Sequence, residues 1–376
     1  MVYLDNSATT AVCSAASQKA TFMMTQCFGN PSSLHTLGFL AEQEMDHARR
    51  VIAGWLGVLP SSVVFTSGGT EANNLALLGG AGAKRRAGRH IVTTAVEHSS
   101  VRAACEQLEE QGWEVTRIQP DGQGCISPRQ VVDACREDTV LVSVMLVNNE
   151  TGARFDVAGM VPGIRRASPQ ALIHCDAVQA AGKLNLNLAR MGVDLATVSG
   201  HKIHAPKGVG VLYIRRGVRV LPITFGGGQE SGLRSGTEAT PLIAAMAAAV
   251  EALPPPSRQQ ELYERLRQRL IAGLADRPDI RLHLPPGGVP YVVHLSVPGV
   301  RSETMLHFLA EREIYVSSGS ACSKGKKSPV LAAMGLDSRQ IDSALRISFT
   351  HTNTEEDIDA FVQALKQAAD TLVRRS

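Results

Sequence analysis

Short runs of aliphatic and β-branched residues alternate with longer helical patterns through most of the 376-residue chain, and this alternation restricts the possible folds most strongly. It predicts an α/β fold in which a mostly parallel central sheet carries helices on both faces. The predicted strands cover residues 62–65, 90–94, 140–147, 172–175, 195–198 and 209–213, and the predicted helices include 70–78, 100–111 and 128–134. Ligands of such sheets bind beyond the carboxyl ends of the strands, where this chain places small and polar residues. We therefore expect one crevice to gather most of the reactive side chains.

A proline-rich break divides this pattern into two units. The run Leu253-Pro254-Pro255-Pro256 follows an alanine-rich helical stretch. Because proline cannot continue a helix, we place the boundary here, between a large unit at 1–253 and a smaller α+β unit at 254–376. Residues 1–10 are expected to pack with the small unit. Within that unit the pattern predicts a charged helix and two strands, at 259–275, 291–297 and 345–349.

Charge and cysteine content exclude several classes of protein. The net charge of +3 is too small for a binder of nucleic acid or of an anionic membrane. No apolar run reaches the roughly 20 residues that span a bilayer, and the N-terminus lacks a secretory signal pattern, so we expect a cytoplasmic protein. Seven cysteines without a C-x-x-C pair argue against a disulfide framework and the common zinc sites. They favour a reducing compartment and leave room for one reactive thiol.

The segment at 65–74, FTSGGTEANN, is typical of a strand, a glycine turn and the start of a helix. Backbone amides at a helix N-terminus, together with the Thr70 hydroxyl, suit a phosphate group. The segment is neither a Walker loop nor G-x-G-x-x-G, so it does not support the usual nucleotide motifs. An ordinary turn with an N-cap explains the same residues equally well, and the segment alone leaves both interpretations open.

Lys202 lies in SGHKIHAPKG, directly after a predicted buried strand, which is an unusual place for a solubilising charge. Such lysines lose their proton easily and form Schiff bases, although an exposed loop lysine is the simpler alternative. Combined with a phosphate turn, a Schiff-base lysine indicates pyridoxal phosphate (PLP), whose ring nitrogen needs a carboxylate. Asp176 ends an apolar strand and would supply it, or would cap the following helix. His98 would stack on the ring, or serve as a structural cap.

Cys322 differs from the other cysteines because it lies in a stretch rich in serine, glycine and lysine, SSGSACSKGKKSP. This composition is typical of an exposed loop, and the nearby lysines favour the nucleophilic thiolate. The other cysteines have apolar or helical neighbours and are interpreted as small core residues. Arg346 interrupts an apolar strand, where its guanidinium suits bidentate capture of a carboxylate. An edge-strand arginine paired with a surface acid is the alternative.

Together these segments resemble the cysteine desulfurases, PLP enzymes of the class-V aminotransferase family with the fold-type-I architecture. The matching motifs follow one another through nearly the whole chain: YLDNSATT at 3–10, NPSSLHTLG at 30–38, FTSGGTEANN, EHSSV, NNETG at 148–152, DAVQ, SGHKIHAPKG, GGGQESGLRSGTE at 226–238, SSGSACS and LRIS. The resemblance implies that the chain removes sulfur from L-cysteine, releases L-alanine and holds the sulfur as a persulfide on Cys322.

The resemblance also implies roles for individual residues. Catalysis would depend on Cys322, Lys202 and His98, and the substrate carboxylate would be held by Asn149 and Arg346. Within one subunit, PLP would be held by Gly69, Thr70, Glu71, His98, Asn149, Asp176, Gln179, Ser199, His201 and Lys202. Thr237 of the partner subunit would complete the phosphate site of a homodimer. No metal site is implied.

The persulfide would pass to a sulfur-acceptor protein, either an iron–sulfur scaffold or an enzyme of tRNA thiolation, without direct contact to nucleic acid or membrane. Three alternatives remain open. Another fold-type-I enzyme, such as a selenocysteine lyase or an aminotransferase, would keep Lys202 and Asp176 but would not require Cys322. A non-catalytic PLP-binding sulfur carrier is the second. A metal site is the third, although zinc spacing is missing from its candidate ligands, His98, Cys175, His201 and His204.

Overall fold

The computed structural model describes residues 1–318 and 328–373, in which strands and helices alternate. The strands are β1 (Val2–Tyr3), β2 (Val63–Thr66), β3 (His90–Thr94), β4 (Glu114–Ile118), β5 (Thr139–Met145), β6 (Leu172–Asp176), β7 (Leu195–Ser199), β8 (Gly210–Ile214), β9 (Arg281–His283), β10 (Val292–Ser296), β11 (Ile314–Tyr315), β12 (Ser317–Ser318) and β13 (Ala344–Ser348). The helices are α1 (Ser14–Thr25), α2 (Thr36–Leu56), α3 (Gly69–Asn74), α4 (Gly80–Lys84), α5 (Ser99–Glu110), α6 (Pro128–Asp133), α7 (Val157–Ala167), α8 (Leu188–Met191), α9 (Thr240–Ala252), α10 (Pro256–Gly273), α11 (Ser302–Ala310), α12 (Pro329–Ala333), α13 (Ser338–Asp342) and α14 (Glu355–Thr371).

The central sheet has seven strands in the order β2-β8-β7-β6-β5-β3-β4. Its pairs from β7 to β4 are all parallel. Side chains alternate between the two faces of a strand, so a sheet covered on both faces needs two apolar cores. Val211 and Tyr213 of β8 enter one core, and Leu212 and Ile214 enter the other. The predicted α/β class, with a mostly parallel sheet, is therefore confirmed.

The predicted strands all occur at the expected places, but one strand of the central sheet was not predicted. The helix predicted at 70–78 is present, because α3 continues without a break through a π-helical turn at Leu75–Gly79 into α4. Strand β4 is not among the predicted strands, because it is a sheet edge whose polar residues are mostly half-buried. Without a continuous apolar run or strict alternation, the sequence carries no strong strand signal there.

Strand β8 is the antiparallel member of the sheet, and it pairs with β7 on one side and β2 on the other. Only residues 200–209 connect β7 to β8, and a parallel partner would require a longer crossover. The return of the chain brings Gly210 beside Gly68 in the turn after β2. Strands β2 and β7 consequently point the same way, and their carboxyl ends lie at one edge of the sheet.

A second sheet is antiparallel throughout, with the order β12-β13-β10-β9. The N-terminal segment, residues 2–10, connects this sheet to the loop between β7 and β8. At one end β1 pairs with β11, and the Leu4 carbonyl accepts a hydrogen bond from the Ser348 amide. At the other end the amide and hydroxyl of Thr10 both donate to the His201 carbonyl.

The alanine-rich stretch forms α9, which packs against α1 and α2. Alanine side chains allow helices to approach closely, which explains the composition of this segment. Across residues 1–318 and 328–373, none of the helices combines the length and the apolar character needed to cross a membrane.

Two glycine substitutions should change stability in opposite directions. An alanine at Gly210 would place its Cβ 2.7 Å from backbone atoms of Gly68, which no side-chain rotation can relieve. We expect Gly210→Ala to lower the free energy of unfolding by about 1–3 kcal/mol. Gly54 lies in α2, and an alanine Cβ there would have no atom within 4 Å, so Gly54→Ala should raise the free energy of unfolding by roughly 0.5–1 kcal/mol. Urea unfolding followed by circular dichroism measures both changes. Equal unfolding midpoints for the two variants would contradict the close contact at Gly210 and the open space at Gly54.

Candidate active site

A cavity of about 310 Å³ lies at the carboxyl-end edge of the central sheet. Residues that follow β2, β3, β5, β6 and β7 meet there, because these strands point the same way. The cavity brings together most of the predicted site residues: Gly69, Thr70, His98, Asn149, Asp176, Gln179, Ser199, His201, Lys202 and Arg346. The sequence-based expectation of a single crevice therefore holds for these residues.

Asp176 ends β6 and is 4% exposed. Its Oδ2 accepts a hydrogen bond from Asn73 Nδ2 at 2.8 Å, and its Oδ1 accepts one from the Val178 amide at 3.0 Å. These two bonds orient the carboxylate, but it forms no salt bridge with a lysine or arginine among the described residues. A buried carboxylate of this kind suits a protonated ring nitrogen.

His98 caps the N-terminus of α5, as the structural interpretation predicts, and its side chain also lines the cavity. Its Nδ1 accepts from the Ser100 amide at 3.3 Å and lies 2.8 Å from Ser100 Oγ. Because Nδ1 acts as an acceptor, the neutral ring carries its proton on Nε2. Burial lowers the pKa of His98, so the imidazole is neutral at physiological pH. A neutral ring is suited to stacking on another aromatic ring.

Lys202 closes a 3₁₀ turn directly after β7. Its Nζ donates to two main-chain carbonyls of the N-terminal segment, Ser7 O at 2.5 Å and Ala8 O at 2.7 Å. Gln179 Nε2 donates to the same Ser7 carbonyl at 3.0 Å. The N-terminal segment therefore fixes the position of the amine at the wall of the cavity.

A second cavity, of about 340 Å³, adjoins the first and shares Gly69, Thr70, Ser199 and His201 with it. Gly68 has φ 154°, a conformation that favours glycine. A Cβ on Gly69 would lie 3.2 Å from the side chain of Val178, so any larger residue at this position would crowd the turn. Burial, followed by the charge of Lys202, lowers the pKa of His201 to about 4. The neutral imidazole and the hydroxyls of Thr70 and Ser199 leave a polar pocket suited to a phosphate.

Arg346 lies on β13, an inner strand of the small sheet, and is 3% exposed, so the edge-strand alternative is wrong about its position. Its Nη1 donates to the Asn149 carbonyl at 3.0 Å, and its Nη2 donates to Asp5 Oδ1 at 2.8 Å. Asn149 follows β5 and is presented by a turn in which Asn148 Oδ1 accepts three hydrogen bonds. Arg346 and Asn149 thus line the same cavity.

Two predicted residues do not line this cavity, and a third is not among the described residues. Glu71 lines the second cavity only, and its carboxylate accepts from Arg234 Nε at 2.8 Å and from the Ser67 amide at 2.7 Å. Thr237 is exposed and lines neither cavity. Cys322 lies outside the described residues, between Ser318 and Ser328.

Sequence reasoning missed three residues of the site. Asp5 holds Arg346, the Ser7 carbonyl holds Lys202, and Asn73 holds Asp176. Asp5 and Ser7 belong to the YLDNSATT motif, and Asn73 belongs to the TEANN run. These motifs were the available signal, but neither reveals which distant side chain it contacts.

Three ionisable groups near the cavity are shifted toward their neutral forms by burial. Burial raises the pKa of Glu97 to about 8 and that of Glu150 to about 7, and it lowers the pKa of Lys183 to about 7. Glu97 Oε1 accepts from Thr94 and from the Met145 amide, and Glu150 accepts from Ser328. The surroundings therefore have a low dielectric, in which charge interactions are strong.

The residues present fit PLP. The ring nitrogen would meet Asp176, the phosphate would meet the Gly69 turn, and Lys202 provides the amine for the aldehyde. Gln179 Oε1 is buried and without a hydrogen-bond partner among the described residues, so it is available to the ring hydroxyl. By contrast, no cluster of three or more His, Cys, Asp or Glu side chains in residues 1–318 and 328–373 is arranged to hold a metal ion.

Known proteins resemble the chain over nearly its whole length. Residues 2–361 match the family described as aminotransferase class-V. The chain is 40% identical to "Cysteine desulfurase IscS" of Acinetobacter baumannii, over 99% of this chain and 93% of that protein. It is 39% identical to "Cysteine desulfurase 2" of Trichormus variabilis, over 99% and 94%. A solved structure titled "NIFS-LIKE PROTEIN" is 36% identical and superposes with a TM-score of 0.93, covering 99% of this chain and 100% of that one.

The family match, the identity of the relatives and the geometry of the cavity agree with one another, and they do not favour an aminotransferase, a selenocysteine lyase or a silent carrier. The chain belongs to the class-V aminotransferase family and, within it, to the PLP-dependent cysteine desulfurases.

Proposed function

We propose that this cysteine desulfurase takes the sulfur atom of L-cysteine onto Cys322 as a persulfide and releases L-alanine. The observation that carries the proposal is a single cavity in which Lys202, Asp176 and Arg346 converge. These residues supply an amine, a carboxylate and a guanidinium, which are the groups needed to bind PLP and an amino acid together.

Residues from four segments would hold the cofactor. Asp176 would pair with the ring nitrogen and Gln179 with the ring hydroxyl, while His98 would stack on the ring. Gly69, Thr70, Ser199 and His201 would surround the phosphate, and Glu71 would contribute by fixing the Ser67 amide of the same turn. When bound, PLP supplies an electron sink that weakens bonds at the α- and β-carbons of an amino acid.

Lys202 would move protons at the substrate α-carbon. Its Nζ donates hydrogen bonds to two main-chain carbonyls, which hold the amine at the wall of the cavity. General acid–base catalysis needs such a group within reach of the reacting carbon. His98, neutral and fixed by Ser100, would take part in catalysis from its position against the PLP ring.

Arg346 and Asn149 would bind the substrate carboxylate. Both line the cavity, and Arg346 retains a buried Nε without a hydrogen-bond partner among the described residues. A guanidinium in a buried site binds a carboxylate through charge-assisted hydrogen bonds. This grip would direct the substrate sulfur toward the thiolate of Cys322.

We also propose a homodimer in which Thr237 of the partner subunit completes the phosphate site. Support comes from the apolar side chains exposed along α1, α2 and their connection: Phe22, Met24, Phe28, Leu34, Phe39 and Leu40. Patches of this kind mark protein–protein contacts. Phe225 is 81% exposed in the glycine-rich segment that leads to Thr237, so this segment also has apolar surface to bury.

The remaining assignments concern organisation and sulfur transfer. We propose a division into units at 1–253 and 254–376, supported by the two separate sheets on either side of the boundary.

Six cysteines of the described residues are free thiols, which supports a reducing, cytoplasmic setting. The acceptor of the persulfide would be an iron–sulfur scaffold or an enzyme of tRNA thiolation.

Lys202→Ala should abolish covalent attachment of PLP. The wild-type enzyme, reduced with borohydride, should carry the cofactor mass on the peptide containing Lys202, and the variant should carry none. Lys207→Ala is the matched control, because Lys207 lines only the second cavity and should leave the attachment intact. A labelled cofactor on another lysine of the wild-type enzyme would contradict the assignment.

Cys322→Ala should retain the cofactor and the change in its visible absorption on adding L-cysteine, yet release less than about 1% of the wild-type sulfide under reductant, because a lost nucleophile cannot be replaced by binding. Cys125→Ala is the matched control and should remain active. Normal sulfide release by the Cys322 variant would rule out the persulfide role.

Leu34→Glu should shift the protein from dimer to monomer and weaken PLP binding, because a charge would then occupy the apolar contact. Sedimentation velocity measures the first effect and PLP titration of the apoenzyme measures the second. Leu59→Glu is the control, since Leu59 is also exposed but lies outside the proposed contact. A monomeric wild-type protein with full PLP affinity would contradict the proposal.

A further inference from the structure

Two acceptors hold the Arg346 guanidinium, and the rest of its N–H groups are not accounted for by these two bonds. Of the five N–H groups of its guanidinium, one donates to the Asn149 carbonyl and one to Asp5 Oδ1. The Nε–H is buried and has no hydrogen-bond partner among the described residues. Arg346 lines the cavity, whereas Asp5 is not among the described residues that line it. Asp5 therefore contacts the guanidinium from outside the substrate space.

The main chain around Asp5 is itself fixed to β13, the strand that carries Arg346. The Ser348 amide donates to the Leu4 carbonyl at 2.7 Å, and the Ser7 amide donates to Ser348 Oγ at 2.8 Å. Asn6 Nδ2 donates to the Ser348 carbonyl at 2.9 Å. Hydrogen bonds on both sides of Asp5 thus set the distance between its carboxylate and Arg346.

We propose that Asp5 is a positioning residue for substrate recognition, which holds the Arg346 guanidinium in the orientation that binds the carboxylate of the incoming amino acid. The inference rests on the proposed role of Arg346. It assigns a function to the acid of the YLDNSATT motif, whose carboxylate bonds to Arg346 and does not line the cavity.

The Asp5 carboxylate has two opposite effects on a bound carboxylate. Its negative charge repels the substrate, whereas its hydrogen bond prevents the long arginine side chain from rotating away. Arg346 is 3% exposed, and the planar shape of its guanidinium restricts the directions in which it can donate. In a buried site, orientation controls whether charge-assisted hydrogen bonds form at all, so the positioning effect is the larger one.

The test compares two amines, of which only L-alanine has a carboxylate. Dissociation constants of L-alanine and of cysteamine, which has no carboxylate, are measured on the holoenzyme from the change in visible absorption. We expect Asp5→Ala to weaken L-alanine binding about tenfold, the value of one charge-assisted hydrogen bond, and to change cysteamine binding less than about twofold. Asp5→Asn retains the acceptor oxygen and should bind L-alanine within about threefold of wild type.

Asp5→Glu separates position from charge. It keeps the negative charge but pushes it one methylene closer to Arg346, so positioning predicts weaker L-alanine binding and a purely electrostatic role predicts no change. This variant also keeps the proposal testable if Asp5→Ala does not fold. Glu313→Ala is the matched control, because Glu313 pairs with the N-terminal amine at the exposed end of the same segment and should not affect either ligand.

The possible results decide between the inference and the proposed function. Unchanged or tighter L-alanine binding in both Asp5→Ala and Asp5→Glu would overturn the inference, and so would equal weakening of L-alanine and cysteamine. Arg346→Ala serves as the reference for the proposed function. If Arg346→Ala binds L-alanine like wild type, the assignment of the carboxylate site itself is wrong. If Arg346→Ala loses L-alanine binding while the Asp5 variants retain it, only the role of Asp5 is wrong.

Discussion

The carboxylate of Asp176, buried at the end of β6, is the constraint around which the site is arranged. A buried charge without a cationic partner is costly unless a ligand supplies that partner. Asn73 orients it, the same amide group reaches Ser100, and Ser100 fixes His98. One chain of hydrogen bonds therefore fixes both Asp176 and His98, the two residues that would hold the ring nitrogen and stack on the ring of PLP. Glu97 and Glu150 lie nearby, and burial raises the pKa of both; in such surroundings the pairing of Asp176 with a ring nitrogen would be strong.

The N-terminal segment, residues 2–10, fixes two further side chains of the site. Its carbonyls at Ser7 and Ala8 hold Lys202, and its Asp5 holds Arg346. Lys202 follows the central sheet, whereas Arg346 belongs to the second sheet, so their separation depends on a third piece of chain that contacts both. The segment is therefore part of the active site although it carries none of the reactive groups.

The sequence predicted those features of the structure that depend on residues close together in the chain. Strand ends, the turn at Gly69 and the histidine at the start of α5 follow from residues adjacent to one another. The pairing of Asp5 with Arg346 could not be predicted, because it joins the two ends of the chain and depends on how two sheets pack. The position of Arg346 on an inner strand likewise depends on the order of the small sheet.

Burial also determines which thiols of the chain react. It raises the pKa of Cys105 to about 12 and that of Cys135 to about 11, and it raises the pKa of Cys175 well above its usual value. These thiols stay protonated at neutral pH, so they cannot compete for the substrate sulfur, even though Cys175 lies beside Asp176. A sulfur carrier must instead occupy a segment that is polar and positively charged. Of the seven cysteines, Cys322 has this sequence environment, since three lysines follow it within five residues.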